Sequence, residues 1–125
     1  MSQNDFKQRI DKLTKSLEEY WFSGIKEACG DDYKRSCSVF IRIQELIEAK
    51  INSIENDVDL EIDDTEIYEV YNPQFAVIFD FCDSIEQDES LELLEELNSL
   101  LVNNIIESMT NGLKNGTITQ DDLEE

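Results

Sequence analysis

The chain has 125 residues, 40% hydrophobic and 32% charged, with 30 Asp and Glu against 10 Lys and Arg for a formal net charge of −20. An anionic excess of that size repels nucleic acid and anionic lipid, which argues against direct binding to either. The sequence contains no His to act as a base near neutrality, and it shows neither a Gly-rich phosphate cradle nor a local nucleophile signature, so a non-enzyme is predicted.

Residues 4–28 come first. Phe6, Ile10, Leu13, Leu17, Tyr20, Trp21, Ile25 and Ala28 recur every three or four positions, which predicts a long amphipathic helix. Asn4 is its expected N-cap, and Gly30 suits the left-handed position past its last turn. Trp21 lies on the apolar face and is expected in the core. Asp31 or Asp32 launches a second helix through Tyr33, Cys37, Phe40, Ile41, Gln44, Ile47, Ile51 and Ile54. The short connection makes 4–55 a helical hairpin, with Arg42 and Lys50 toward its solvent side.

The pattern changes over 56–71, an acidic insertion. Val58, Leu60 and Ile62 alternate with Asp57, Asp59, Glu61 and Asp63, which predicts a short half-buried strand. Ile67, Tyr68, Val70 and Tyr71 form its partner across Asp63, Asp64, Thr65 and Glu66, or else an irregular loop. An EF-hand is excluded, because a loop starting at Asp57 puts Ile62 at the turn position that needs Gly and Tyr68 where calcium needs a Glu.

A helical pair is predicted over 72–113. Asn72 caps and Pro73 opens a third helix lined by Phe75, Ile78, Phe79, Cys82 and Ile85, although the run 75–79 also suits a buried strand. Asp88 or Ser90 opens the last long helix, with Leu91, Leu94, Leu97, Leu101, Ile105 and Met109 on one stripe and Leu93, Leu100 and Ile106 beside it. So wide an apolar face predicts a central position, or a homodimer seam over 91–109. Gly112 and Gly116 end this helix, and 117–125 reads as a mobile tail. The fold class is thus mainly α: one domain over 1–125, an antiparallel bundle of about four helices with an acidic loop or short β-hairpin between helices two and three.

Charge placement carries the functional reading. Residues 1–50 hold nine basic and nine acidic residues, whereas 55–96 hold sixteen carboxylates and neither Lys nor Arg. A solubility surface normally mixes signs. Glu86, Asp88, Glu89, Glu92, Glu95 and Glu96 are six charges in eleven residues. That is one charge per roughly 2.5 Å of helix, against roughly 1.7 Å of axis per phosphate charge in duplex DNA. A basic groove built for phosphates would attract such a surface. The partner-binding set is Asp57, Asp59, Glu61, Asp63, Asp64, Glu66, Glu69, Asp83 and those six acids, with Tyr68 and Tyr71 supplying aromatic contacts.

In charge and size the chain resembles, as a class, phage inhibitors that mimic DNA and the immunity proteins that block nuclease toxins. No motif is shared, so no residue carries over. The expectation is a small acidic inhibitor of a basic nucleic-acid-handling protein such as a nuclease, restriction or CRISPR component. The alternatives are an acidic secretion chaperone for a basic client, which would rely on Leu93, Leu100 and Ile106, and a carboxylate-metal enzyme. Cys29, Cys37 and Cys82 match no zinc spacing, so neither a metal nor another cofactor is predicted. The start of the chain lacks a signal pattern and the run 75–79 is too short to span a bilayer, which predicts a cytoplasmic location in a bacterium or infected host cell.

Overall fold

Apolar spacing of three and four builds a mainly helical protein. A computed structural model describes residues 3–62 and 65–123, with no strand among the described residues. The first helical run comprises α1 (Gln3–Ser16), a π-helical turn (Leu17–Phe22) and α2 (Ser23–Cys29). Its start at Gln3 places Asn4 inside the helix rather than at its cap. In the π turn the Ser23 N–H reaches back to the Glu18 carbonyl, and Leu17, Trp21 and Phe22 are all buried.

Gly30 follows α2 at φ 58 and ψ −123. Only φ matches the expected left-handed position, and that combination is open to glycine and costly for other residues. Asp32 then caps α3 (Tyr33–Glu55), its carboxylate accepting the Arg35 N–H at 3.2 Å. Phe40 and Ile43, fully buried, anchor the inner face of α3. Lys50 does not reach open solvent as expected: its side chain is 15% exposed, 3.9 Å from Asp83 and over the Phe79 ring.

The expected strand over 57–63 does not form where it is described. Asp57 turns at φ 51, and Val58 bonds back to the end of α3: its N–H reaches the Ser53 carbonyl, and its own carbonyl accepts the Ser53 hydroxyl at 2.6 Å. Period-two alternation supplies a buried face but no ladder partner. The segment expected to pair with it is helical instead, as α4 (Thr65–Val70).

Next come α5 (Asn72–Asp83) and α6 (Gln87–Asn115). Tyr71 occupies the cap position expected of Asn72, and Pro73 stands in the first turn, where its missing N–H costs nothing. The structure resolves the ambiguity over 75–79 as helix. Similarly, α6 starts after Glu86, not at Asp88 or Ser90. Ser90 is buried and its hydroxyl donates to the Cys82 carbonyl at 2.8 Å, while the Glu89 carboxylate accepts the Glu86 N–H.

Contacts between helices give their directions. Arg9 lies over Phe81 and Trp21 meets Phe75, so α5 runs against α1 and α2. The Ser36 and Ser108 hydroxyls are 3.0 Å apart and Gln87 donates to the Ile54 carbonyl, so α6 runs against α3. Consequently α3 and α5 run the same way, and the acidic connection carries the chain back between them. One contiguous core results, with Phe22, Phe40, Phe75, Ile78, Leu93, Leu94, Leu97 and Leu101 nearly or fully buried.

Gly116, at φ 82, ends α6, whereas Gly112 lies within it. Ile118, placed by the sequence in the terminal tail, is buried against Gly112, and its N–H bonds to the Gly112 carbonyl. A Cβ at Gly112 would lie 2.5 Å from Ile118 Cδ1 and 2.6 Å from its Cγ1. Gly112→Ala is therefore expected to destabilise by about 1 kcal/mol in urea titration, because overpacking of about 1–3 kcal/mol exceeds the helix-propensity gain of up to about 1 kcal/mol. In an Ile118→Ala background the same change should stabilise. Stabilisation in the otherwise unaltered protein would refute this packing.

Candidate functional site

Helix ends and connections position the acids. Asp57, Asp59 and Glu61 lie on the connection after α3, Glu66 and Glu69 on α4, and Asp83 at the end of α5; all are exposed. Asp63 and Asp64 lie outside the described residues. Of the remaining candidates, Glu86, Asp88, Glu92, Glu95 and Glu96 are exposed and Glu89 is half-buried.

The structure does not gather them into one surface. Asp57 and Asp83 line one cleft of about 370 Å³ with Lys50, Ser53 and Gln87, which joins the start of the connection to the start of α6. Asp59 and Glu61 border a neighbouring hollow beside Ala49 and Asn52. Glu66 and Glu69 stand before the other end of α5, a helix of 12 residues. At about 1.5 Å per residue α5 is roughly 18 Å long, with these acids before its start and Asp83 at its end. The acid block is two patches.

Tyr68 and Tyr71 belong to the smaller patch and are half-buried. The Tyr68 ring stacks on Phe75 with centroids 5.7 Å apart, and Tyr71 is 5.5 Å from Trp21. Burial raises the Tyr71 phenol above its ordinary pKa, with Cys29 adding to the rise and Arg35 opposing it. Both rings pack on the core, leaving only their outer edges for a partner.

The larger patch is built on the first turns of α6. Asp88, Glu92 and Glu96 follow one another at four-residue spacing, and Glu95 flanks them. Burial raises the Glu96 carboxyl above its ordinary range; Asp11 and Glu92 add to this and Lys7 opposes it. The field of Lys7, on α1, thus reaches this row, but the neighbouring Asp11 carboxylate outweighs it. Glu89 and Glu86 have a local role at the helix start, which was expected of Asp88 or Ser90 instead.

The raised Glu96 pKa implies a pH dependence. Folding favours its protonated form, so this contribution to stability is complete below the ordinary carboxylate range and is lost as pH rises through the raised value. Glu96→Gln should therefore raise the melting temperature at neutral pH. The like-charge pair with Glu92 sets the scale at about 0.2–0.5 kcal/mol, kept small by solvent screening. The gain should vanish near pH 3, about a unit below the usual Glu pKa. An equal gain at both pH values would contradict the assignment.

Among the described residues, no three Cys, Asp or Glu side chains are placed to hold a metal ion. Burial raises the Cys82 thiol to about 11 and also raises Cys37 and Cys29, so the thiolate form needed for nucleophilic chemistry is disfavoured. Among the described residues, no helix is long and apolar enough to cross a membrane. No protein-family model, curated protein or solved structure matches the chain.

The solvent face of α6 beyond these acids escaped the sequence reading. Ile106, expected beside the buried stripe, is 55% exposed, and Leu113 is 45% exposed. Their spacing from Glu95 and Val102 was the available signal.

Proposed function

We propose that the protein is a small acidic inhibitor that binds a basic nucleic-acid-handling protein and covers its phosphate-binding surface. The observation that carries this reading is the exposed row of Asp88, Glu92, Glu95 and Glu96. Like charges at four-residue spacing cost a helix roughly 0.2–0.5 kcal/mol per pair. A row kept at that cost, with no interleaved Lys or Arg, is explained by a cationic partner. Asp83 and Asp57 extend the surface around the same end of the molecule. The scaffold we propose is a bundle of about four helices, acting in the cytoplasm of a bacterium or an infected host cell, either as a phage anti-defence protein or as an immunity protein for a nuclease toxin.

The chaperone alternative is less favoured. Leu93 is fully buried and Leu100 packs on the core, so two of the three residues it relies on are engaged internally. A pull-down from host lysate with the tagged protein distinguishes the readings. The inhibitor is expected to recover a nucleic-acid-binding protein that moderate salt and competing duplex DNA each displace. A client that stays bound in high salt and in DNA would overturn the reading.

A further inference from the structure

The outward face of α6 carries a second pattern that runs the length of the helix. Asp88, Glu92, Glu95, Ser99, Val102, Ile106, Met109 and Leu113 succeed one another at alternating steps of four and three. That is the spacing of a helix-docking seam. The helix's other seam, through Leu94, Leu97, Leu101 and Ser108, is buried in the core. The outward positions are exposed or half-buried throughout: Asp88, Glu92, Glu95, Ser99, Ile106 and Leu113 are exposed, and Val102 and Met109 half-buried. The seam has two halves, acidic before Ser99 and apolar after it. Its 26 residues, 88–113, span roughly 39 Å at about 1.5 Å per residue.

We infer that this seam docks a helix of the partner protein, one whose contact stripe is Lys- and Arg-bearing over about three turns and aliphatic over the adjoining three. The inference rests on the inhibitor reading and specifies the partner element it engages. Charge complementarity fixes the first half: a cationic stripe relieves the repulsion along Asp88, Glu92 and Glu95. The second half supplies affinity that salt does not screen, since burial of Ile106 and Leu113 is non-ionic.

A second copy of this chain does not fit. Parallel pairing sets the acids against each other, and full antiparallel pairing buries carboxylates against aliphatic side chains without partners. An offset pairing of the apolar halves alone engages only Val102, Ile106, Met109 and Leu113 of each seam and leaves Asp88, Glu92 and Glu95 of both copies without cationic partners.

The test uses two synthetic labelled helices of about 26 residues, long enough to span the seam. A block peptide carries Lys at the stripe positions of one half and Leu at those of the other; an interleaved peptide has the same composition with Lys and Leu alternating. The block peptide is expected to bind about tenfold tighter by fluorescence anisotropy at roughly physiological salt. The Ile106→Ser, Leu113→Ser double variant and the Glu92→Gln, Glu95→Gln double variant should each remove most of that preference, and only the second should flatten the salt dependence. Equal binding of the two peptides, or indifference to the Ile106 and Leu113 changes, would overturn the inference. Failure of the inhibitor reading looks different: the block peptide is still preferred, but no nucleic-acid-binding protein is displaced by DNA. Conversely, a DNA-displaceable partner that binds the Ile106→Ser, Leu113→Ser protein unchanged leaves the inhibitor reading standing and removes this seam.

Discussion

Asp88→Asn, Glu92→Gln, Glu95→Gln and Glu96→Gln combined are expected to slow association with the nucleic-acid-handling partner by about a hundredfold at low ionic strength. Steering by a patch of one sign raises association rates by roughly 10 to 1000-fold, and these exposed side chains are the densest part of the patch. The fold should be little changed, because removing like-charge pairs offsets the loss of the Asp88 charge from the first turn of α6, and the bond from the Glu86 N–H to Glu89 is left in place. Stopped-flow measurement over a salt series is the check. The difference between the parent and the variant should shrink as salt rises, since screening over about 8–10 Å removes the steering in the parent as well. A control set of four exposed acids on other helices, Glu18, Glu19, Glu27 and Glu45, makes the same change in net charge. If the control slows association equally, charge acts through its total, and the α6 row has no special part.

The largest stability effect is expected at Phe75. Its side chain is fully buried, with the rings of Trp21, Tyr68 and Phe79 at centroid distances of 5.6, 5.7 and 5.8 Å. Phe75→Ala would leave a cavity where α4, α5 and the π turn meet, at a cost of about 3–5 kcal/mol by urea or thermal unfolding. Against a typical total of about 5–15 kcal/mol, that removes a large part of the stability of the fold. Tyr68 and Tyr71 should lose order with it, visible as a weakened near-ultraviolet circular dichroism signal. A loss below about 1 kcal/mol, within the range of ordinary surface changes, would mean that Phe75 is not the keystone of this cluster.

Helix periodicity made much of the fold legible. Phe6, Ile10, Leu17, Trp21 and Ile25 are inward, and Asp32 caps the second long helix, for reasons the local sequence states outright. Other features depend on partners distant in sequence. Val58, Leu60 and Ile62 have strand spacing, but no described segment forms a ladder with them, and Val58 bonds to Ser53 instead. Gly112 reads as a helix end until Ile118 is seen to need the space above it. The π turn leaves no mark in composition, and the three-and-four apolar spacing reads straight through it as α-helix.

For the candidate site, the existence of an acidic surface was legible and its layout was not. Counting carboxylates over 55–96 treats the stretch as continuous, whereas α5 divides it into two patches. The same counting gives Glu89 and Glu92 equal standing, although Glu89 is half-buried at the helix start and Glu92 is free of that role. Tyr68 and Tyr71 illustrate the limit for aromatic residues, since spacing near acids does not tell a partner-facing ring from one stacked on Phe75 or Trp21.

Competition between this protein and duplex DNA for one partner tests the central claim most directly. With the partner held at fixed concentration, the apparent Kd for the protein should rise linearly with DNA concentration from its DNA-free value, because both ligands need the same cationic surface. A ternary complex of partner, protein and DNA, with the Kd unchanged by DNA, would show that the acidic face lies elsewhere in the complex and would contradict the account.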